Sequence, residues 1–134
     1  MAVRLHMKQE NFSIIRRLKS FTFALNGLKV LILEEHNARI HLVAALFVII
    51  AGVLLELSNV EWIAIIFAIG LVFTLETINS AIENLADFVS PEKNDQIKKV
   101  KDLSAGAVLI GAITALFIGL IVFIPKLITL GLFK

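Results

Sequence analysis

Three apolar stretches, each near the roughly 20 residues an α-helix needs to cross a hydrocarbon core of about 30 Å, dominate this chain of 134 residues. They occupy residues 40–57, 62–82 and 103–124. We read them as three transmembrane helices. Composition supports this: 58% of residues are hydrophobic and 18% charged, against about 45–50% and 25% in soluble domains. A small domain has much surface for its volume, so such an excess must face lipid or other subunits, and a soluble monomer is excluded. The absence of Cys rules out a disulfide scaffold, a thiolate metal site and a Cys nucleophile. A net charge of +2 is too mild to argue for nucleic acid, so the placement of charges matters more than their sum.

That placement orients the chain. Arg4, Lys8, Arg16, Arg17, Lys19, Lys29 and Arg39 precede the first span, and Lys93, Lys98, Lys99 and Lys101 lie between the second and third. The first loop, 58–61, has no basic residue. The positive-inside rule puts the N-terminus and the second loop in the cytoplasm. Trp62 and Lys126 stand where interfacial anchors belong. No short apolar core precedes a small-residue cleavage site, so a removable signal peptide is not expected and the first span serves as its own insertion signal. Before it, Ile14, Leu18, Phe21, Leu25, Leu28 and Ile32 recur at spacings of 4, 3, 4, 3 and 4. This pattern predicts an amphipathic helix over about 12–34, lying on the cytoplasmic interface or packed on a partner. Residues 1–134 read as a single domain without internal repeats.

The cytoplasmic half of the second span is unexpectedly polar. Helix geometry brings Glu76, Asn79, Ser80, Glu83 and Asp87 within roughly 60° of a common line. Each charge near a bilayer centre costs ~2.5–3.5 kcal/mol on insertion scales, so such a stripe reads as a functional site. Interhelical hydrogen bonding would account for Asn79 and Ser80. It does not account for carboxylates without a matching intramembrane cation. Hard carboxylate oxygens suit Mg²⁺, held by one or two carboxylates together with substrate phosphates. Glu34 and Glu35, where the interfacial helix meets the first span, and Lys101-Asp102, before the third, face the same leaflet. No Gly-x-x-x-x-Gly-Lys-Ser/Thr or Gly-x-Gly-x-x-Gly is present, so any phosphate must be held by basic residues and metal. His6, His36 and His41 form no metal-binding pair and read as interfacial polar residues.

From about Phe12 to Ile124 the chain resembles the small trimeric prokaryotic lipid kinases that include diacylglycerol kinase and undecaprenol kinase. The most specific segment is Glu76-x-x-Asn79-Ser80-Ala81-Ile82-Glu83-x-x-x-Asp87. Glu35-x-x-x-Arg39, Lys101-Asp102 and Gly27-Leu28 agree in order and spacing. The resemblance implies an all-α homotrimeric bundle in the bacterial inner membrane, with active sites shared between subunits, using Mg-ATP to phosphorylate a lipid hydroxyl. It makes Glu76 the catalytic base and Asn79 its polar neighbour. Glu35 and Glu83 become metal ligands, and Arg16, Asp87, Lys101 and Asp102 nucleotide contacts. These roles suit phosphoryl transfer, which needs positioning, charge neutralisation and a proton acceptor.

Departures bear on the lipid. Members resembling the diacylglycerol enzyme tend to carry Gly-Ser two residues after Lys-Asp, where this chain has Ser104-Ala105-Gly106, and Tyr where it has Phe23. Glu35-His-Asn-Ala-Arg-Ile-His41, Ser90-Pro91-Glu92 and Ala105-Gly-Ala-Val-Leu109 look more like the undecaprenol branch, which is therefore expected over diacylglycerol. The rival readings are a small oligomeric cation or proton pathway around Glu76 and Glu83, and a non-catalytic assembly subunit. A pathway needs polar residues continuing toward the far leaflet, and residues 62–73 supply none.

Overall fold

The computed structural model describes residues 14–92 and 94–130, with side chains from residue 19 onward. The expected helix start at residue 12, the side chain of Arg16, and Arg4, Lys8 and Lys93 lie outside what is described. The chain forms four helices: α1 (Ile14–Glu34), α2 (His36–Leu54), α3 (Asn59–Val89) and α4 (Asp95–Thr129). The last three are long and apolar enough to cross a membrane, as the apolar stretches predict. Among the described side chains of α1, Phe21, Leu25 and Leu28 are exposed, Ile32 is half-buried and Leu31 alone is buried. The apolar face of α1 is therefore left to lipid or to another subunit.

Local chemistry sets the helix ends, and they differ from the apolar limits. α2 stops at Leu54 although apolar residues continue to Leu57, because Glu56 takes the left-handed conformation (φ 50°), which ends a helix. Ser58 and Glu61 then start α3 with a reciprocal capping box: Ser58 N donates to Glu61 Oε2 at 2.7 Å, and Glu61 N to Ser58 Oγ at 3.4 Å. Lys126, near the end of α4, staples this turn by donating to the Glu56 carbonyl at 3.2 Å and pairing with Glu61 at 3.2 Å. At the other end of the bundle Asn94 caps α4 by accepting from Gln96 N and Ile97 N. That cap starts α4 eight residues before the expected span, so its first two turns carry Lys98, Lys99, Lys101 and Asp102.

α3 and α4 form a tight antiparallel hairpin, and α2 lies against α3. Gly111 lets α4 approach Leu75, whose side chain would collide with any Cβ at that position. Gly52 does the same for α2, where a Cβ would stand 2.9 Å from the Trp62 ring. The apolar core, Leu57, Ile65 and Val122 with Val48, Trp62, Ile69, Ile118 and Phe123 around them, lies toward the stapled turn. The polar stripe of α3 occupies the opposite end. Between the two, an apolar groove of about 450 Å³ runs among α2, α3 and α4, from His41 past Ala68, Val72 and Ala112 to Phe123.

Candidate active site

α3 supplies the backbone of the site. Its stripe grades from buried to exposed: Glu76 is 2% exposed and Ser80 8%, Asn79 and Glu83 are half-buried, and Asp87 is exposed. Helical periodicity explains the shared face, and the packing of α4 and the α1–α2 junction explains the gradient. The electrostatic neighbours of Glu76 are His41, Glu35 and Glu83. One of its carboxylate oxygens, Oε2, is buried with no hydrogen-bond partner among the described residues. A buried acceptor left unpaired is costly, so this atom is a place where a donor from outside the chain would be welcome.

Glu35 reaches the stripe because it is the one extended residue between α1 and α2 (φ −92°, ψ 118°). It occupies the N-cap position of α2, yet its side chain makes no cap. Its Oε1 instead accepts a hydrogen bond from Ser80 Oγ at 2.7 Å. Glu83 is held in a parallel way, its Oε1 accepting from Asn79 Nδ2 at 3.0 Å. Each carboxylate thus has one oxygen engaged by a neutral donor on α3 and the other unclaimed among the described residues. Ser104 Oγ on α4 lies 2.7 Å from Asn79 Oδ1. Lys101, one turn earlier on α4, donates to both oxygens of Asp87 at 2.9 and 3.1 Å.

Most of the residues proposed from the sequence therefore come together: Glu76, Asn79, Glu83 and Asp87 on α3, Glu35 from the junction, and Lys101 from α4. Asp102 points elsewhere, pairing at 3.8 Å with Lys98, with both side chains largely exposed. Among the described residues, no three acidic or His side chains form a preformed metal cage. Two carboxylates with spare oxygens are nonetheless a donor set suited to Mg²⁺, which takes its remaining ligands from water and phosphate.

A buried carboxylate, flanking acidic groups and a lysine at the rim are side chains of the kind that phosphoryl transfer draws on. Residues 22–123 match the family model described as prokaryotic diacylglycerol kinase. The chain belongs to this prokaryotic diacylglycerol kinase family. It is 39% identical over 120 residues to an undecaprenol kinase of Bacillus subtilis (strain 168), covering 90% of this chain and 98% of that protein. It is 33% identical over 114 residues to a diacylglycerol kinase of Synechocystis sp., covering 84% of this chain and 65% of that protein. With a diacylglycerol kinase of Escherichia coli (strain K12) it shares 28% identity over 109 residues, 81% of this chain and 89% of the relative. The kinase is thus an ATP-dependent phosphotransferase acting on a lipid, and a multi-pass membrane protein.

Three residues of this kinase acquire a place in the site that sequence reading did not assign. Ser80 was visible in the stripe, but only the structure pairs it with Glu35. In the sequence Ser104 stands out only as a departure near Lys101-Asp102. The signal that could have found it is its spacing of three from Lys101, which places both on one face of α4. His41, read as an interfacial polar residue, lines the apolar groove and is an electrostatic neighbour of Glu76.

Proposed function

We propose that the protein phosphorylates undecaprenol in the bacterial inner membrane, as a homotrimer with a cytoplasmic N-terminus, transferring the γ-phosphate of ATP with Mg²⁺ as cofactor. The observation that carries this reading is the buried Oε2 of Glu76, which has no hydrogen-bond partner among the described residues, one turn beyond Val72 and Phe73 of the apolar groove. A lipid whose hydrocarbon lies along that groove brings its hydroxyl to that carboxylate oxygen.

In the transfer, Glu76 accepts the hydroxyl proton, the lipid oxygen bonds to the γ-phosphorus, and the bond from that phosphorus to the ADP oxygen breaks. Glu35 and Glu83 would hold Mg²⁺ through their unengaged oxygens, and the ion supplies neutralisation of phosphate charge. Asn79 keeps Glu83 in place. Lys101 turns from Asp87 to the nucleotide phosphates, and Asp87 remains at the rim of the same site. Arg16 and Asp102 complete the nucleotide contacts, Asp102 from the exposed edge of α4.

Undecaprenol is favoured over diacylglycerol by the near full-length similarity to a protein named undecaprenol kinase and by the motifs at 35–41, 90–92 and 105–109. The runner-up, diacylglycerol as acceptor, rests on the relatives bearing that name. The cytoplasmic N-terminus follows from the charge asymmetry of the loops. The apolar face of α3, with Ile63, Phe67, Ile78 and Leu85 uncovered in the single chain, is left to lipid or to a neighbouring subunit of the homotrimer. The test is purified protein in mixed micelles with Mg-ATP, offered undecaprenol and diacylglycerol side by side. Undecaprenyl phosphate as the dominant product is expected. Dominant phosphatidic acid would reassign the acceptor, and no phosphorylated lipid from either would reject the reading.

A further inference from the structure

The hydrogen bonds around Asn79 give α4 a role in the site beyond Lys101. The Asn79 amide stands between two oxygens: Glu83 Oε1, 3.0 Å from Nδ2, and Ser104 Oγ, 2.7 Å from Oδ1. All three side chains are half-buried, so water competes weakly for these bonds. An ionised carboxylate only accepts hydrogen bonds. The amide must therefore turn its N–H to Glu83 and its oxygen to Ser104, and that oxygen is satisfied only if Ser104 gives it a proton. Ser104 has one proton and a second outlet for it, the Lys101 carbonyl at 2.9 Å. The two acceptors differ in what else they can use. The Lys101 carbonyl belongs to the helical backbone, whereas Asn79 Oδ1 has no other donor among the described residues.

We infer that Ser104 is a positioning residue of the phosphoryl-transfer site: its hydroxyl fixes the Asn79 amide, and the amide holds one oxygen of Glu83 so that the other faces the metal-bound nucleotide. The inference rests on Glu83 as a metal ligand. It adds a residue of α4 that touches neither metal nor substrate and acts through two others. Residues in this relation to a metal ligand typically change metal affinity by about 10–100-fold when removed.

The probe is Mn²⁺ with a non-hydrolysable ATP analogue, its binding to the full-length protein in mixed micelles followed by electron paramagnetic resonance. Four variants are compared: Ser104→Ala, Ser104→Thr, Ser104→Val and Glu83→Gln. Ala and Val lack the hydroxyl and Thr keeps it. Val and Thr share one shape, so their comparison stands even if one substitution alters packing. Ser104→Ala and Ser104→Val are expected to weaken binding of the Mn²⁺ complex about tenfold or more, and Ser104→Thr to retain it. Adding Ser104→Ala to Glu83→Gln should cost nothing further. In turnover, the KM for Mg-ATP should rise in Ser104→Ala while the KM for undecaprenol stays put. A loss in Glu83→Gln with none in Ser104→Ala, or equal losses in Thr and Val, overturns the inference alone. Unchanged binding in Glu83→Gln overturns the metal assignment and the inference with it.

Discussion

Replacing Ser80 by Ala removes one proton donor and almost no volume, and it cuts the bond that ties the α1–α2 junction to α3. Ser80 is 8% exposed and its hydroxyl lies 2.7 Å from Glu35 Oε1. Hydrogen bonds to charged groups contribute ~1.5–3 kcal/mol, whereas interhelical bonds measured inside membranes average ~0.6 kcal/mol because the unfolded chain finds other partners. Here the acceptor is a carboxylate and the donor is buried, which favours the upper range. The half-buried position of Glu35 lets water recover part of the loss. A coupling of roughly 1–2 kcal/mol between the two positions follows from these limits. The assay is a double-mutant cycle of Ser80→Ala, Glu35→Ala and the pair, with stability read from unfolding by dodecyl sulfate titrated into mixed micelles. Additivity within ~0.5 kcal/mol, the usual result for independent sites, would refute the claim that this bond holds the junction to the stripe.

Three other perturbations separate the parts of the site. Glu35→Ala or Glu83→Ala should raise the Mg²⁺ concentration needed for half-maximal rate steeply while the dependence on lipid moves less; Mg²⁺ titrations at fixed lipid measure this. Lys101→Ala should raise the KM for ATP severalfold or more, while Lys98→Ala and Lys99→Ala change it little, because among the described residues Lys101 alone of the three is bonded to the α3 stripe, through Asp87; steady-state kinetics in ATP distinguishes them. Gly52→Ala sets a Cβ 2.9 Å from Trp62 and 3.0 Å from Leu57, and should lower stability by ~1–3 kcal/mol without changing the KM for ATP, as unfolding and kinetic assays together would reveal.

Much of this architecture is legible in the sequence because two periodicities dominate it. Stretches of spanning length identify α2, α3 and α4 as membrane helices, and the 3.6-residue repeat gathers Glu76, Asn79, Ser80, Glu83 and Asp87 on one face of α3. Helix ends are less legible, since hydropathy is blind to caps and to backbone conformation. The left-handed Glu56 cuts α2 short of Leu57, and Asn94 starts α4 at Asp95 through polar residues that no hydropathy window includes. Contacts between helices are the least legible of all. Whether Asp102 or Ser104 turns toward α3 depends on how α4 rotates against it, and that rotation is set by packing such as Leu75 against Gly111. The structure turns Ser104 inward to Asn79 and leaves Asp102 at the surface with Lys98.

The assignment of Glu76 as the group that takes the lipid proton is tested most directly by the turnover of Glu76→Gln at saturating Mg-ATP and undecaprenol. Gln keeps the size of the side chain and its ability to hydrogen-bond the lipid hydroxyl, but it cannot accept the proton. General-base effects are typically ~10²–10⁴-fold, so kcat should fall at least a hundredfold while the Mn²⁺–nucleotide complex still binds. A variant that retains more than about a tenth of the wild-type kcat would contradict the account, because the proton would then be leaving by another route.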